Sequence, residues 1–212
     1  MLPYGGGDWS SDKVAALSKG YSMLRYDLLS LTPAERALFD AASIPYPTGT
    51  APLEDTTIIE TKDGQKVGFV FFPKSEVKDN RPTAAAVEFI TSRVKALRKT
   101  SDIVIGMSPW GYFPEQSLLK DNSSSDLPDI ILGSGPGTGV SGRLMNNDKT
   151  MLVRPYASGK SINIIKISDL PKKNLDFSWT KDENIFAKVD GLIHIYRDDP
   201  VVVGLFDGIE TE

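Results

Sequence analysis

Apolar positions recur at helical spacing near the start of the chain. Val14, Leu17, Tyr21 and Leu24 share one face, and Asp12 stands where a helix N-cap belongs. The stretch from Tyr26 to Leu31 reads as a short strand after a tight connection. Thr32-Pro33-Ala34-Glu35 then carries a capping threonine, a proline suited to the first helical position and a glutamate that completes a capping box. Pro45 and Pro47 oppose continuation of that helix much beyond Ala42.

The pattern next shifts to strand spacing. Thr56–Thr61 and Lys66–Phe72 flank Lys62-Asp63-Gly64-Gln65, an Asp-Gly turn between β-rich runs that predicts a hairpin. Thr83 opens a long amphipathic helix with Ala86, Val87, Ile90, Val94 and Leu97 on its apolar side; Arg93, Lys95, Arg98 and Lys99 form a solvated face. Buried strands follow at Asp102–Met107 and Asp129–Leu132, separated by a helical stretch from Glu115 to Lys120 and a Ser-rich loop over 122–125. Thr150–Arg154, Ser161–Ile167 and Leu192–Tyr196 read as further strands. Helices alternate with strands through the first two thirds of the chain, then strands take over. That order predicts an α/β fold, a layered sheet core flanked by helices, in a single domain over residues 1–212.

Composition narrows the functional classes. The chain has 212 residues, 40% of them hydrophobic and 25% charged, which is ample to bury a core. A net charge of −4 argues against nonspecific nucleic-acid binding, which needs a basic face to displace counterions from phosphates. The absence of cysteine removes disulfides, thiolate nucleophiles and zinc–thiolate sites together. No run approaches the roughly 20 apolar residues of a membrane span. Met1–Gly7 lacks the charged start and apolar stretch of a signal peptide.

Few side chains are equipped for chemistry. The single histidine, His194, alternates with apolar residues and has no partner motif nearby, so it reads as a strand residue and not an acid–base group. Gly137-Thr138-Gly139-Val140-Ser141-Gly142 matches the spacing G-x-G-x-x-G, but a turn and strand follow in place of the helix that would receive a pyrophosphate. Those glycines serve a tight loop whose backbone N–H groups are candidates for an anion-binding nest. Trp110, Tyr112 and Phe113 crowd the loop after Met107, as packing in preference to a stacking platform. Trp110, Tyr112, Ser134 and Thr138 outline the candidate ligand cleft.

The order of these motifs resembles the 5′-nucleotidase branch of the calcineurin-like metallophosphoesterases, from about Lys13 to about Ile167. In that family a helix leads into a Gly-Tyr-Asp strand and a Gly-Asn-His-Glu loop; Arg25-Tyr26-Asp27 and Thr32-Pro33-Ala34-Glu35 are similar in place. The family's hairpin into a Val-Gly-hydrophobic strand looks like Asp63-Gly64-Gln65-Lys66-Val67-Gly68-Phe69. Its Ser-His-Leu-Gly loop is similar to Ser108-Pro109-Trp110-Gly111, its Gly-Gly-His-Ser-His loop to Gly133-Ser134-Gly135-Pro136-Gly137, and its late Gly-Lys to Gly159-Lys160.

The resemblance implies a metallophosphoesterase-type α/β sandwich of two packed mixed sheets flanked by helices. It also implies a dimetal centre for phosphoester hydrolysis and a periplasmic or exported location. The ligands that such a centre requires fall on other residues here. The asparagine falls at Pro33, the catalytic histidine at Ala34, and metal-binding histidines at Pro109, Gly135 and Gly137. On this resemblance the family's first strand with its Asp-x-His motif is expected to have no counterpart in residues 1–212, and only Asp8 is placed to stand for a bridging aspartate. The same expectation holds for the substrate-specificity domain that follows in many members. Two cations need imidazole and carboxylate donors, which proline, glycine and alanine do not supply. The expectation is therefore a catalytically silent relative, without metal or other cofactor, that binds a small ligand or a protein partner. The competing expectation is an active phosphohydrolase on nucleotides or related phosphoesters.

Overall fold

In the computed structural model, which describes residues 11–51, 54–73, 77–122, 126–156, 161–171, 176–192 and 196–209, the chain forms two compact units. One comprises Met1–Leu53 with Ile193–Glu212, the other Glu54–Leu192. Asp8, His194 and Gly159-Lys160 lie outside the described residues, as do 123–125 of the predicted Ser-rich loop and 193–195 of the predicted last strand.

The first unit is built from α1 (Ser11–Met23), α2 (Pro33–Ala41) and a short α5 (Pro200–Gly204). Asp12 falls in the first turn of α1, not at a cap, where a carboxylate still complements the helix N-terminus. Leu24 lies beyond the end of that helix and is exposed. Val14, Leu31 and Phe39 form the core of the unit, packed with Leu17, Tyr21, Leu29, Leu38, Ala42 and Ile44. The capping box on α2 is complete: the Glu35 amide donates to Thr32 Oγ1 at 3.2 Å, and the Thr32 amide donates to Glu35 Oε2 at 2.7 Å. The strand expected over 26–31 does not form. Among the described residues only Leu29 pairs, through a single bridge to Thr50, and no second bridge extends it into a ladder.

The second unit is organised by a mixed six-stranded sheet. Its strands are β1 (Thr56–Glu60), β2 (Lys66–Phe71), β5 (Ile103–Ser108), β6 (Ile130–Gly133), β7 (Val140–Met145) and β8 (Thr150–Arg154), in the spatial order β1-β2-β5-β6-β8-β7. The central strands β2, β5, β6 and β8 are parallel, and β1 and β7 are antiparallel edges. The expected Asp-Gly hairpin forms β1 and β2, with Gly64 at φ +76° in its turn. The remaining strands pair in twos: a small hairpin of β3 (Val77–Lys78) with β4 (Arg81–Pro82), and a longer one of β9 (Ser161–Ile167) with β10 (Ile185–Gly191).

Strand alternation sorts the side chains into two cores. One face, carrying Val70, Val104, Ile131 and Leu152, packs against Ala86, Ile90, Val94 and Leu97 of α3 (Ala84–Leu97) and Leu118 and Leu119 of α4 (Tyr112–Asp121). The other face, carrying Ile103, Ile130, Met151 and Val153, is covered by Ile165, Ile167, Ala187 and Ile185 of the β9–β10 hairpin together with Trp179. Full burial of each such aliphatic side chain is worth about 1.5–3 kcal/mol. The architecture is α/β, with helices on one side of the main sheet and a two-stranded antiparallel ribbon on the other. Among the described residues, no helix is long and apolar enough to cross a membrane.

Candidate functional site

In open parallel sheets ligands collect beyond the carboxyl ends of the strands, in the crevice left where successive crossovers leave toward opposite faces. In the second unit both crossover helices, α3 and α4, pack on the same face. The loops after β5 and β6 are therefore not drawn apart. They close on each other backbone to backbone. The Ser134 amide donates to the Ser108 carbonyl at 2.7 Å, and its hydroxyl reaches the same oxygen at 3.0 Å. The Tyr112 amide, at the start of α4, donates to the Pro136 carbonyl at 3.0 Å. The α4 N-terminus has no side-chain cap, so the neighbouring loop supplies the acceptor.

Glycine is what permits this closeness. At Gly135, φ is +75°, and a Cβ would stand 2.5 Å from the Pro109 carbonyl oxygen. At Gly111, φ is +96°, and a Cβ would stand 2.6 Å from the Pro136 oxygen. Any side chain at these positions collides with fixed backbone.

An ion pair lies beneath the closed loops. Strand alternation turns Ser108, Gly133 and Arg154 toward the helix side, and Glu115 of α4 projects to meet them. Arg154 and Glu115 are 2% and 0% exposed, and the Arg154 Nη1 donates to Glu115 Oε2. The rest of the guanidinium faces the loop: Nε donates to the Thr138 carbonyl at 3.1 Å, and Nη2 to the carbonyls of Gly135 at 3.0 Å and Pro136 at 3.2 Å. Gly133 leaves the space the carboxylate occupies, since a Cβ there would lie 2.3 Å from Glu115 Oε2. Burial raises the Glu115 pKa above the ordinary carboxylate value; the Arg154 guanidinium, the Ser108 hydroxyl and the Gly111 amide oppose that rise. Oε1 is left buried without a well-formed hydrogen bond.

Pro33 and Ala34 are exposed on α2 of the first unit, and Glu35 is buried there with its carboxylate engaged in the capping box. Pro109, Gly135 and Gly137 come together in the second unit, in the closed loops. Trp110, 6% exposed, points into the helix-side core, packed against Phe72 with ring centroids 4.8 Å apart and planes tilted by 50°, and its Nε1 donates to the Pro73 carbonyl at 2.6 Å. Tyr112 is half-buried against Gly137, and its hydroxyl accepts from Gln116 Nε2 at 2.5 Å and Arg143 Nη1 at 3.2 Å. Ser134 is spent on the loop contact, and Thr138 is exposed with its carbonyl turned to Arg154.

The G-x-G-x-x-G stretch runs directly into strand β7 at Val140, so a strand stands where a dinucleotide motif requires a helix. Glu115 and Arg154 did not emerge from motif reading. The signal available was parity along β8: Leu152 is a core position on the helix side, so Arg154 two residues on must share that face.

The two-metal centre implied by the family resemblance does not fit these residues. Pro109, Gly135 and Gly137 have no donor side chains, histidine at 135 would collide with the Pro109 carbonyl, and the interior beneath already holds a guanidinium. Among the described residues no three His, Cys, Asp or Glu side chains converge. No protein-family model, curated protein or solved structure matches the chain.

Proposed function

We propose that the second unit is a metallophosphoesterase-like scaffold that binds a ligand or partner and does not hydrolyse phosphoesters. The order of hairpin, crossover helix, strand, glycine loop and strand supports the relationship. The observation that carries the loss of catalysis is the direct backbone packing of the loops after β5 and β6 over a buried guanidinium. Activating water and polarising a phosphate by paired cations needs an open, donor-lined space at that edge.

What remains available to a ligand is the outer surface of the loop. Gly135, Pro136, Gly137 and Thr138 are exposed there, bordered by Tyr112, the 61%-exposed Phe113 and the exposed Arg143. A small molecule or a protein segment with an aromatic or anionic group suits that chemistry.

Elemental analysis of the purified protein, paired with hydrolysis of an aryl phosphate in added Mn²⁺, tests the reading. The expected result is no stoichiometric transition metal and no turnover above the buffer blank. Bound metal with turnover would establish the phosphohydrolase instead.

A further inference from the structure

Three backbone carbonyls and one carboxylate converge on a single positive group in the interior of the second unit. The carbonyls belong to Gly135, Pro136 and Thr138, the carboxylate to Glu115, and the group is the Arg154 guanidinium. An all-oxygen set of this kind, with a carboxylate supplying charge and carbonyls supplying dipoles, is the donor chemistry that hard cations take. Here four of the five guanidinium N–H groups are used on it, and the side chain is 2% exposed.

We propose that this is a cation site filled from within: Arg154 is a tethered cation that holds the loop after β6 against α4, the work a bound ion would otherwise perform. The inference deepens the proposed function, and rests on it only in that the metal-free scaffold needs some other positive group at this edge. The geometry around the pair accords with a site shaped for charge. Gly133 gives up a side chain to seat the Glu115 carboxylate, and the loop that turns its carbonyls to Arg154 has positive φ at Gly135 and Gly137, a conformation glycine adopts readily. The second buried acid of this unit, Asp129, is served differently: Arg98 and the Val104 amide bind its carboxylate, and among the described residues Arg98 reaches one carbonyl, that of Leu127.

A tethered cation has a specific signature. Its removal leaves a vacant oxygen-lined site that a free cation of the same shape can enter. The full chain carrying Arg154→Ala is melted in low-millimolar guanidinium chloride and, separately, in sodium chloride at equal ionic strength, with Arg98→Ala and the parent protein as controls. The expected result is a melting temperature well below the parent, raised by several degrees by guanidinium in Arg154→Ala alone. Equal responses to the two salts in Arg154→Ala, or an equal rise in the controls, overturn the proposal. If Arg154→Ala does not accumulate in folded form, Arg154→Lys replaces it. Its ammonium keeps the charge but cannot span the same carbonyls, so a reduced melting temperature is expected and parent-like melting overturns the idea. Because the readout is melting and not turnover, phosphohydrolase activity, should it be found, leaves this result standing.

Discussion

In the second unit an arginine–carboxylate pair lies near each end of β6, and the two are built to different rules. At the amino end, Asp129 has both oxygens engaged: Arg98 Nη2 donates to Oδ1 at 2.8 Å, and Arg98 Nη1 at 3.2 Å and the Val104 amide at 2.7 Å donate to Oδ2. Arg98 itself is 21% exposed, so water can reach it if the pair is broken. At the carboxyl end, Glu115 and Arg154 are sealed, Oε1 has no well-formed partner, and the guanidinium is directed mainly at loop carbonyls. The first pair secures a strand start. The second organises loops, and does so at the edge where parallel sheets usually keep their ligands.

The largest expected effect is on the sealed pair. Arg154→Ala strands a buried carboxylate and removes the loop's anchor, and should cost about 3–5 kcal/mol of unfolding free energy in urea titration. Arg98→Ala should cost less, about 1–3 kcal/mol, because solvent and the Val104 amide still serve Asp129. Equal losses would erase the distinction drawn between the two ends.

Glycine substitutions probe the packing of the loops above the sealed pair. Gly135→Ala meets both a positive φ and the Pro109 oxygen, and should cost about 2–4 kcal/mol. Gly64→Ala has nearly the same φ but open space around it, so only the backbone penalty of about 1–2 kcal/mol is expected. The difference between the two unfolding curves reports how tightly the loops after β5 and β6 are packed.

Both carboxyls respond to pH in the same sense. Burial raises the pKa of Glu115 and of Asp129 above the ordinary values, against the opposing pull of their arginines. The folded state therefore holds these protons at pH values where the unfolded chain has released them. Their contribution to stability is complete below the ordinary carboxylate pKa and is lost as pH rises through the folded value. Glu115→Gln, which resembles the protonated form, should flatten that part of the profile of unfolding free energy against pH. An unchanged profile would count against a raised Glu115 pKa.

At the bottom of the scale, Phe113→Ala on the exposed loop border should change stability by no more than about 0.5 kcal/mol while weakening whatever binds there, measured by ligand-induced melting shifts.

Much of the scaffold was legible because its signals are local. The capping box from Thr32 to Glu35, the Asp-Gly hairpin at Asp63-Gly64 and the helix opened by Thr83 each depend on residues within a few positions of one another. The Tyr26–Leu31 strand was misread because β-rich composition does not reveal whether a partner strand exists. Strand β10 and helix α5 were not expected, although the alternating set Ile185, Ala187 and Val189 and the cap Asp199 with Pro200 behind it are local signals. The candidate site was harder, because Glu115 and Arg154 stand 39 positions apart and are joined by sheet register alone.

On the proposal made above, the Arg154 side chain and not a bound metal holds the carboxyl edge of this sheet. The melting curve of the purified protein is recorded after exhaustive chelation, with and without saturating Mn²⁺. Superimposed curves are predicted. A midpoint that falls on chelation and is restored in a saturable way by the metal would contradict the account.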